Sequence, residues 1–376
     1  MLNKTKILSK LISFTALIAV ALSSAAYATQ YTVTPLGTLG GAGTTVTGIN
    51  STGELVGASL NSAGNENAFL YSNGAMTNLG TLGGTFSQAN GINSSGQVVG
   101  WSYNSAGNYN AFLYSNGAMT NLGSLSGTSD SEALGINSSG QVVGWSYNSA
   151  GNENAFLYSN GVMTNLGTLG GTVSVALGIN STDQVVGYSN NSAGNYNAFL
   201  YSNGTMTNLG TTGGVASDAY GINSSGQVVG WSFNSTGLQN AFLYSNGAMT
   251  DLGTLGGTGS VALGINSTGQ VVGWSFNSTG LQNAFLYSNG VMQNLNSLIG
   301  SASSEYTLKN AVGINKNGQI AVNGTITATG QSTGFLLTPV TSTSSAGVPA
   351  PATLGLLAAA MASLLLMRRK RVGALG

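Results

Sequence analysis

Apolar and polar positions alternate in a unit that recurs along most of this chain. In QVVGWSYN, Gln97–Asn104, the residues Val99, Trp101 and Tyr103 fall on one face at period 2, the mark of a half-buried strand. A polar stretch, SAGNY, leads into a second β-rich run, NAFLY; SNG then turns the chain and AMTNLG completes the unit. Asn-x-x-Gly and Ser-Asn-Gly supply positions that tolerate the left-handed backbone of tight hairpins. With ANGIN and SSG in front, Asn90–Gly123 is predicted to be a four-stranded antiparallel meander, strands a to d. No part of it offers a capped helical pattern of period 3.6.

The unit repeats. GIN begins at Gly48, Gly91, Gly135, Gly178, Gly221, Gly264 and Gly313, at intervals of 43, 44, 43, 43, 43 and 49 residues. AFLYSNG begins at Ala68, Ala111, Ala155, Ala198, Ala241 and Ala284, and a degenerate seventh copy, GFLLTP, begins at Gly334. A repeat of about 43 residues lies within the range of four-stranded propeller blades. One such sheet cannot bury both faces alone, so its neighbours must stack on it. The expected fold is therefore all-β, a seven-bladed β-propeller over residues 29–340, with an open β-solenoid as the alternative. Small residues around ALGIN suit a first strand beside a crowded axis, which favours the ring.

The start of the body bears on closure. YTVTPLGTLGG at Tyr31–Gly41 matches GAMTNLGTLGG at Gly74–Gly84 in seven of eleven positions, 43 residues away. The seventh unit has strands a (NAVGIN), b (QIAVNGTI) and c (GFLLTPV) but no recognisable d. The N-terminal strand is expected to supply it. Pro35 stands where the complete copy has Asn78, and proline is admissible mainly in an edge strand.

Composition narrows the class. The 376 residues include 58 Gly, not spaced in threes, so collagen is excluded. With 42% hydrophobic and 5% charged residues, the chain is not a charge-driven disordered polymer. It has no Cys and no His, which removes disulfides, thiolate or imidazole metal sites and His-based triads. All nine acidic residues lie in the body with only Lys309 and Lys316, so the body carries about −7 and will not bind nucleic acid by neutralising phosphates.

The remaining basic residues lie at the ends. Lys4, Lys6 and Lys10 precede the apolar LISFTALIAVAL and the small-x-small AYA ending at Ala28, with Ala26 at the other small position. Residues 1–28 therefore read as a secretory signal peptide, cleaved after Ala28. At the other end a Ser/Thr-rich tether, 341–347, leads to VPAPATLGLLAAAMASLLLMRRKR. Its apolar run, 352–367, is expected to be a transmembrane helix, held by the basic residues Arg368, Arg369, Lys370 and Arg371. The order of proline motif, apolar helix and basic tail over 348–376 resembles the PEP-CTERM sorting signal of bacterial exported proteins. Val348, Pro349 and Pro351 match its motif, and Ala350 replaces the usual Glu. That resemblance implies an exosortase-type sorting enzyme as partner and at least transient membrane anchoring at the cell envelope or outer surface. The repeats resemble the extracellular HAF family, whose units carry Gly-Ile-Asn and His-Ala-Phe-Leu-Trp. GIN and Ala-Phe-Leu match in six units, while Asn67, Asn110, Asn154, Asn197, Asn240 and Asn283 occupy the His position and Tyr the Trp position. This resemblance implies an extracellular setting and no reaction.

Enzyme signatures are absent: there is no G-x-S-x-G elbow, Walker loop or H-E-x-x-H. No catalytic residue or cofactor is therefore expected, and metal binding is left open, since GNENA and SDSE offer oxygen ligands without a known Ca²⁺ spacing. Trp101, Trp145, Trp231 and Trp274 are expected to pack between blades. Asp130 and Glu132 read as part of a solvated loop. In a meander the a–b and c–d turns share one rim, which here repeats as NSSG and YSNG. The other rim is expected to hold Glu66 and Glu153 in b–c loops and Asp130, Glu132, Asp218 and Glu305 in d–a loops. The b–c position alternates as Glu66, Tyr109, Glu153, Tyr196, Gln239 and Gln282. The candidate ligand rim is thus Glu66, Tyr109, Asp130, Glu132, Glu153, Tyr196, Asp218 and Glu305. The expected function is a non-catalytic surface protein that binds or structures extracellular polysaccharide or partner proteins. The alternatives are a propeller-type polysaccharide lyase or hydrolase, and a purely structural spacer.

Overall fold

Each repeat folds into one sheet, because its four short β-rich runs are separated by turns that permit no longer element. The computed structural model describes residues 29–127 and 130–340, and its strands form seven four-stranded antiparallel sheets. Blades 1 to 6 follow the chain, each as strands a-b-c-d in order. Blade 2, for example, comprises Gly83–Ile92, Val98–Asn104, Tyr109–Ser115 and Ala118–Asn121. Blade 7 takes Tyr306–Ile314, Ile320–Ile326 and Ser332–Pro339, and its fourth strand is Tyr31–Pro35. That strand runs antiparallel to Ser332–Pro339, with Pro35 opposite Phe335 as Asn78 is opposite Phe69 in blade 1. The fold is a seven-bladed β-propeller.

Strand a begins earlier than the hydrophobic pattern suggests. In blade 2 it starts at Gly83, seven residues before Asn90, and it is bulged between Ala89 and Gly91. The opening YTVTPLGTLGG therefore straddles two blades: Tyr31–Pro35 is the edge of blade 7, and Gly40–Ile49 is strand a of blade 1.

The core lies between blades, one apolar cluster per interface. Val99, Ala111 and Leu122 of blade 2 meet Ala133, Val142 and Phe156 of blade 3, all buried. The blade 7 to blade 1 interface is built alike, with Leu36 and Ala321 against Val46, Leu55, Phe69 and Tyr71. The Gly of VVG is obligatory here, since a Cβ on Gly100 would lie 1.9 Å from the Gln88 carbonyl oxygen on strand a. Polar clips reinforce the contact. Buried Ser131 donates to the Gly123 carbonyl at 2.6 Å and accepts from the Ala111 N–H at 3.0 Å, both in the preceding blade.

The Asn of GIN accounts for the motif. In blade 4 its side-chain oxygen accepts from the Thr182 and Gln184 N–H groups, which builds the a–b turn, while its amide donates to the Asn223 carbonyl of blade 5 at 3.1 Å. The same blade-to-blade bond joins Asn50, Asn93, Asn137, Asn180, Asn223, Asn266 and Asn315 in turn, and Asn315 donates to the Asn50 carbonyl at 3.1 Å. This circuit passes from the last blade to the first, which an open solenoid could not do. The Gly-Ile pairs of all seven units line the central channel beside it.

The longer connection before the last GIN contains two short 3-10 turns, Leu295–Ser297 and Gly300–Ser304. Leu295, Leu298 and Ile299 join the blade 6 to blade 7 core with Tyr31, whose N–H donates to the Leu298 carbonyl at 2.9 Å. Burial pushes the Tyr31 phenol up to about 12. The signal peptide with Ala26 and Ala28, the tether, and the sorting segment with its helix and basic tail lie outside the described residues. Among the described residues no helix is long and apolar enough to cross a membrane.

Candidate functional site

The two rims differ in kind. The a–b and c–d turns repeat from blade to blade, and the YSNG turns place each Asn and Gly in left-handed backbone, as with Asn73 (φ 52°) and Gly74 (φ 82°). The opposite rim varies. Its exposed apolar residues include Phe86, Tyr103, Tyr196, Val215, Leu238 and Leu281, alongside most of the acids.

Two of the acids are not where a loop reading puts them. Glu132 lies on strand a of blade 3, directly opposite Trp145, and Asp218 lies on strand a of blade 5, opposite Trp231. The cause is the serine clip: Ser131 and Ser217 are fully buried and anchored to the preceding blade, so the next residue is already part of the sheet. Asp130 immediately precedes its strand. Glu66, Tyr109, Glu153 and Tyr196 each open a strand c rather than sit in the b–c loop. Glu305 is exposed after the second 3-10 turn of blade 7, and Glu66 stands in blade 1, both apart from the group described next.

Between blades 2 and 3 the fold assembles a cluster from five strands. The Tyr109 hydroxyl donates to Glu132 Oε2 at 2.5 Å, and the Trp145 indole N–H donates to the same oxygen at 3.1 Å. The Asn90 amide donates to Glu132 Oε1 at 2.9 Å, and the Tyr109 N–H donates to Asp130 Oδ1 at 3.2 Å. The Tyr109 ring stacks on Trp101, with centroids 4.5 Å apart and planes 26° apart, and lies 6.1 Å and 23° from Trp145. Tyr103 meets Trp101 and Tyr109 edge-on. An open cavity of about 270 Å³ is lined by Tyr103, Gly107, Tyr109, Asp130 and Trp145.

Blades 4 and 5 carry a related set. Tyr188 takes the Trp101 position and meets Tyr196 edge-on at 5.8 Å, and Asp218 takes the Glu132 position. Asp is one methylene shorter than Glu, and Tyr196 is 42% exposed. The electrostatics join the two sets. Burial raises the Tyr109 phenol far above its ordinary range, helped by Glu132. Burial and then Glu132 raise the Glu153 carboxyl, and burial with Glu153 and Asp218 raises Tyr188. Burial pushes Asp218 up to about 6, against the lowering effect of a hydrogen bond from Trp231. Tyr220 is raised by burial and by Asp218.

Trp145, Trp101, Tyr103 and Asn90 were not singled out as site residues from sequence, although Trp101 and Trp145 do sit at a blade interface. A signal existed: the NSSG turn fixes the a–b register, which sets Glu132 against Trp145. Chemically the cluster offers flat aromatic faces and carboxylate acceptors. Among the described residues, no group of three or more His, Cys, Asp or Glu is placed to hold a metal ion.

No family model matches the chain, and no curated protein sequence does. By fold it is similar to acylaminoacyl peptidase of Pyrococcus horikoshii, with a TM-score of 0.54 at 10% identity over 80% of this chain and 52% of that one. It is more remotely similar to TolB of Acinetobacter baumannii, with a TM-score of 0.40, 14% identity and coverage of 65% and 64%. The six-bladed Aleuria aurantia lectin gives a TM-score of 0.35, 14% identity and coverage of 69% and 95%. The chain thus spans less than two thirds of the peptidase and of TolB. The likeness to the peptidase agrees with the class already defined, a β-propeller, and at this identity it bears on fold alone.

Proposed function

We propose that this chain is an exported, surface-directed, non-catalytic propeller that binds extracellular polysaccharide on its variable rim. In this reading residues 1–28 are removed on export, Tyr31–Pro35 is thereby freed to clasp blade 7, and an exosortase-type enzyme acts on the segment beginning at Val348. The apolar run 352–367 and its basic tail anchor the chain at least until then. The observation that carries the binding role is the stack of Trp101, Tyr109 and Trp145 beside Asp130 and Glu132 at an open cavity. Aromatic faces and acceptor oxygens are what a sugar's C–H face and hydroxyl groups require.

The test is glycan-array binding by the full chain in detergent, compared with Trp145→Ala. Binding that the substitution abolishes, with the melting temperature kept, supports the reading; an array with no bound glycan favours the structural spacer. A second reading rests on one feature: Tyr109 O–H to Glu132 at 2.5 Å, with Asp130 adjacent, pairs a hydroxyl nucleophile with a base. Release of new reducing ends from a bound glycan, lost in Tyr109→Phe, would establish that propeller-type hydrolase instead.

A further inference from the structure

The cavity between blades 2 and 3 has a charge that the described residues leave unbalanced. Every hydrogen-bond partner of Glu132 named above is a neutral donor: a phenol, an indole and an amide. Asp130 lines the cavity itself. The only basic residues of the body are Lys309 and Lys316, both in blade 7. A counter-charge at this mouth must therefore come from outside the propeller. The walls are suited to receive one, because the faces of Trp and Tyr attract cations as well as sugar rings. At about 270 Å³ the cavity is smaller than the roughly 300–1,000 Å³ of drug-sized sites and takes one ring at a time.

The related set at Tyr188, Tyr196 and Asp218 lies on the same rim two blades further on, with Glu153 between the two. Aromatic and carboxylate groups at two places on one rim suit a polymer that presents the same group repeatedly, since a chain held at one place reaches the other at high effective concentration. We propose that the ligand is a polysaccharide bearing free amino groups, a partly or fully deacetylated amino-sugar polymer, whose ammonium pairs with Asp130 and Glu132 while its ring lies on Trp145. This rests on the saccharide-binding reading above and narrows it to one charge class.

The probes are a β-1,4-linked glucosamine hexamer and the N-acetylglucosamine hexamer of the same length. Both are titrated onto the full chain by tryptophan fluorescence at low salt and a pH just above that at which Asp218 ionises, about 6. The free-amine hexamer should bind at least about tenfold tighter, the worth of one modest charge or cation–π contact. Added salt should erode that margin. Glu132→Gln should remove the preference, and Asp130→Asn serves as the second variant if Glu132→Gln does not fold. Asp218→Asn should weaken the hexamer while leaving glucosamine monomer unchanged. Equal binding of both hexamers, lost in Trp145→Ala, would overturn the amine preference and leave saccharide binding intact. Binding of neither hexamer, or a preference that survives both carboxylate substitutions, would overturn the inference too.

Discussion

Asp218 shows how a residue's setting becomes a pH dependence. Its carboxyl sits on strand a, where burial raises it to about 6 from its ordinary 3.8. The folded chain therefore holds this proton to a higher pH than the unfolded chain does. Stability is lost as pH rises from about 4 through 6 and is level above that. Asp218→Asn removes the cost of a buried charge while leaving an acceptor for Trp231. It should stabilise the protein by about 2 kcal/mol at pH 7 and by nothing below about pH 4, read from denaturant melts at both values. Asn180 works in the opposite direction. Its side chain serves two N–H groups of its own turn and one carbonyl of the next blade, while 5% exposed. Asn180→Ala leaves those groups without partners and should cost about 2–4 kcal/mol in an equilibrium melt.

At the scale of elements, the strand Tyr31–Pro35 is short but heavily tied. It pairs along Ser332–Pro339, buries Tyr31 in the blade 6 to blade 7 core, and leads to Leu36 in the blade 7 to blade 1 core. Removing Thr29–Gly37 strips an edge from blade 7 and opens both interfaces. The melting temperature of the whole body should fall in one transition, because each blade is stable only against its neighbours. An unchanged melt would show that the strand is dispensable. Strand a is the element least legible beforehand. Its first half, GGTFSQ in blade 2, has no apolar alternation to mark it; it is held as strand by pairing with strand b, by Ser102 donating to the Phe86 carbonyl, and by the hydrogen bonds of Ser87 across blades. Glu132 and Asp218 were read as loop residues for the same reason.

For the whole molecule, the period, the four runs per unit, the left-handed turns and the N-terminal match all lie within or between neighbouring segments, so pattern alone marks them. That was sufficient to predict seven sheets and an all-β ring. The near-identity of the units also marked the other rim as the variable one, and it named Tyr109, Asp130 and Glu132 individually. Pattern could not show that these three meet. Tyr109 and Glu132 are 23 residues apart and belong to different blades, and their hydrogen bond depends on how far one sheet is rotated against the next. Trp101 and Trp145 occupy equivalent positions in their repeats, yet both border one tyrosine, because blade 2 presents its c strand to blade 3. The sequence by itself determined the blade, since a blade's turns and strand pairing are local. Only the tertiary structure decided the site, since its chemistry arises where two nearly identical blades meet and their few differences face each other.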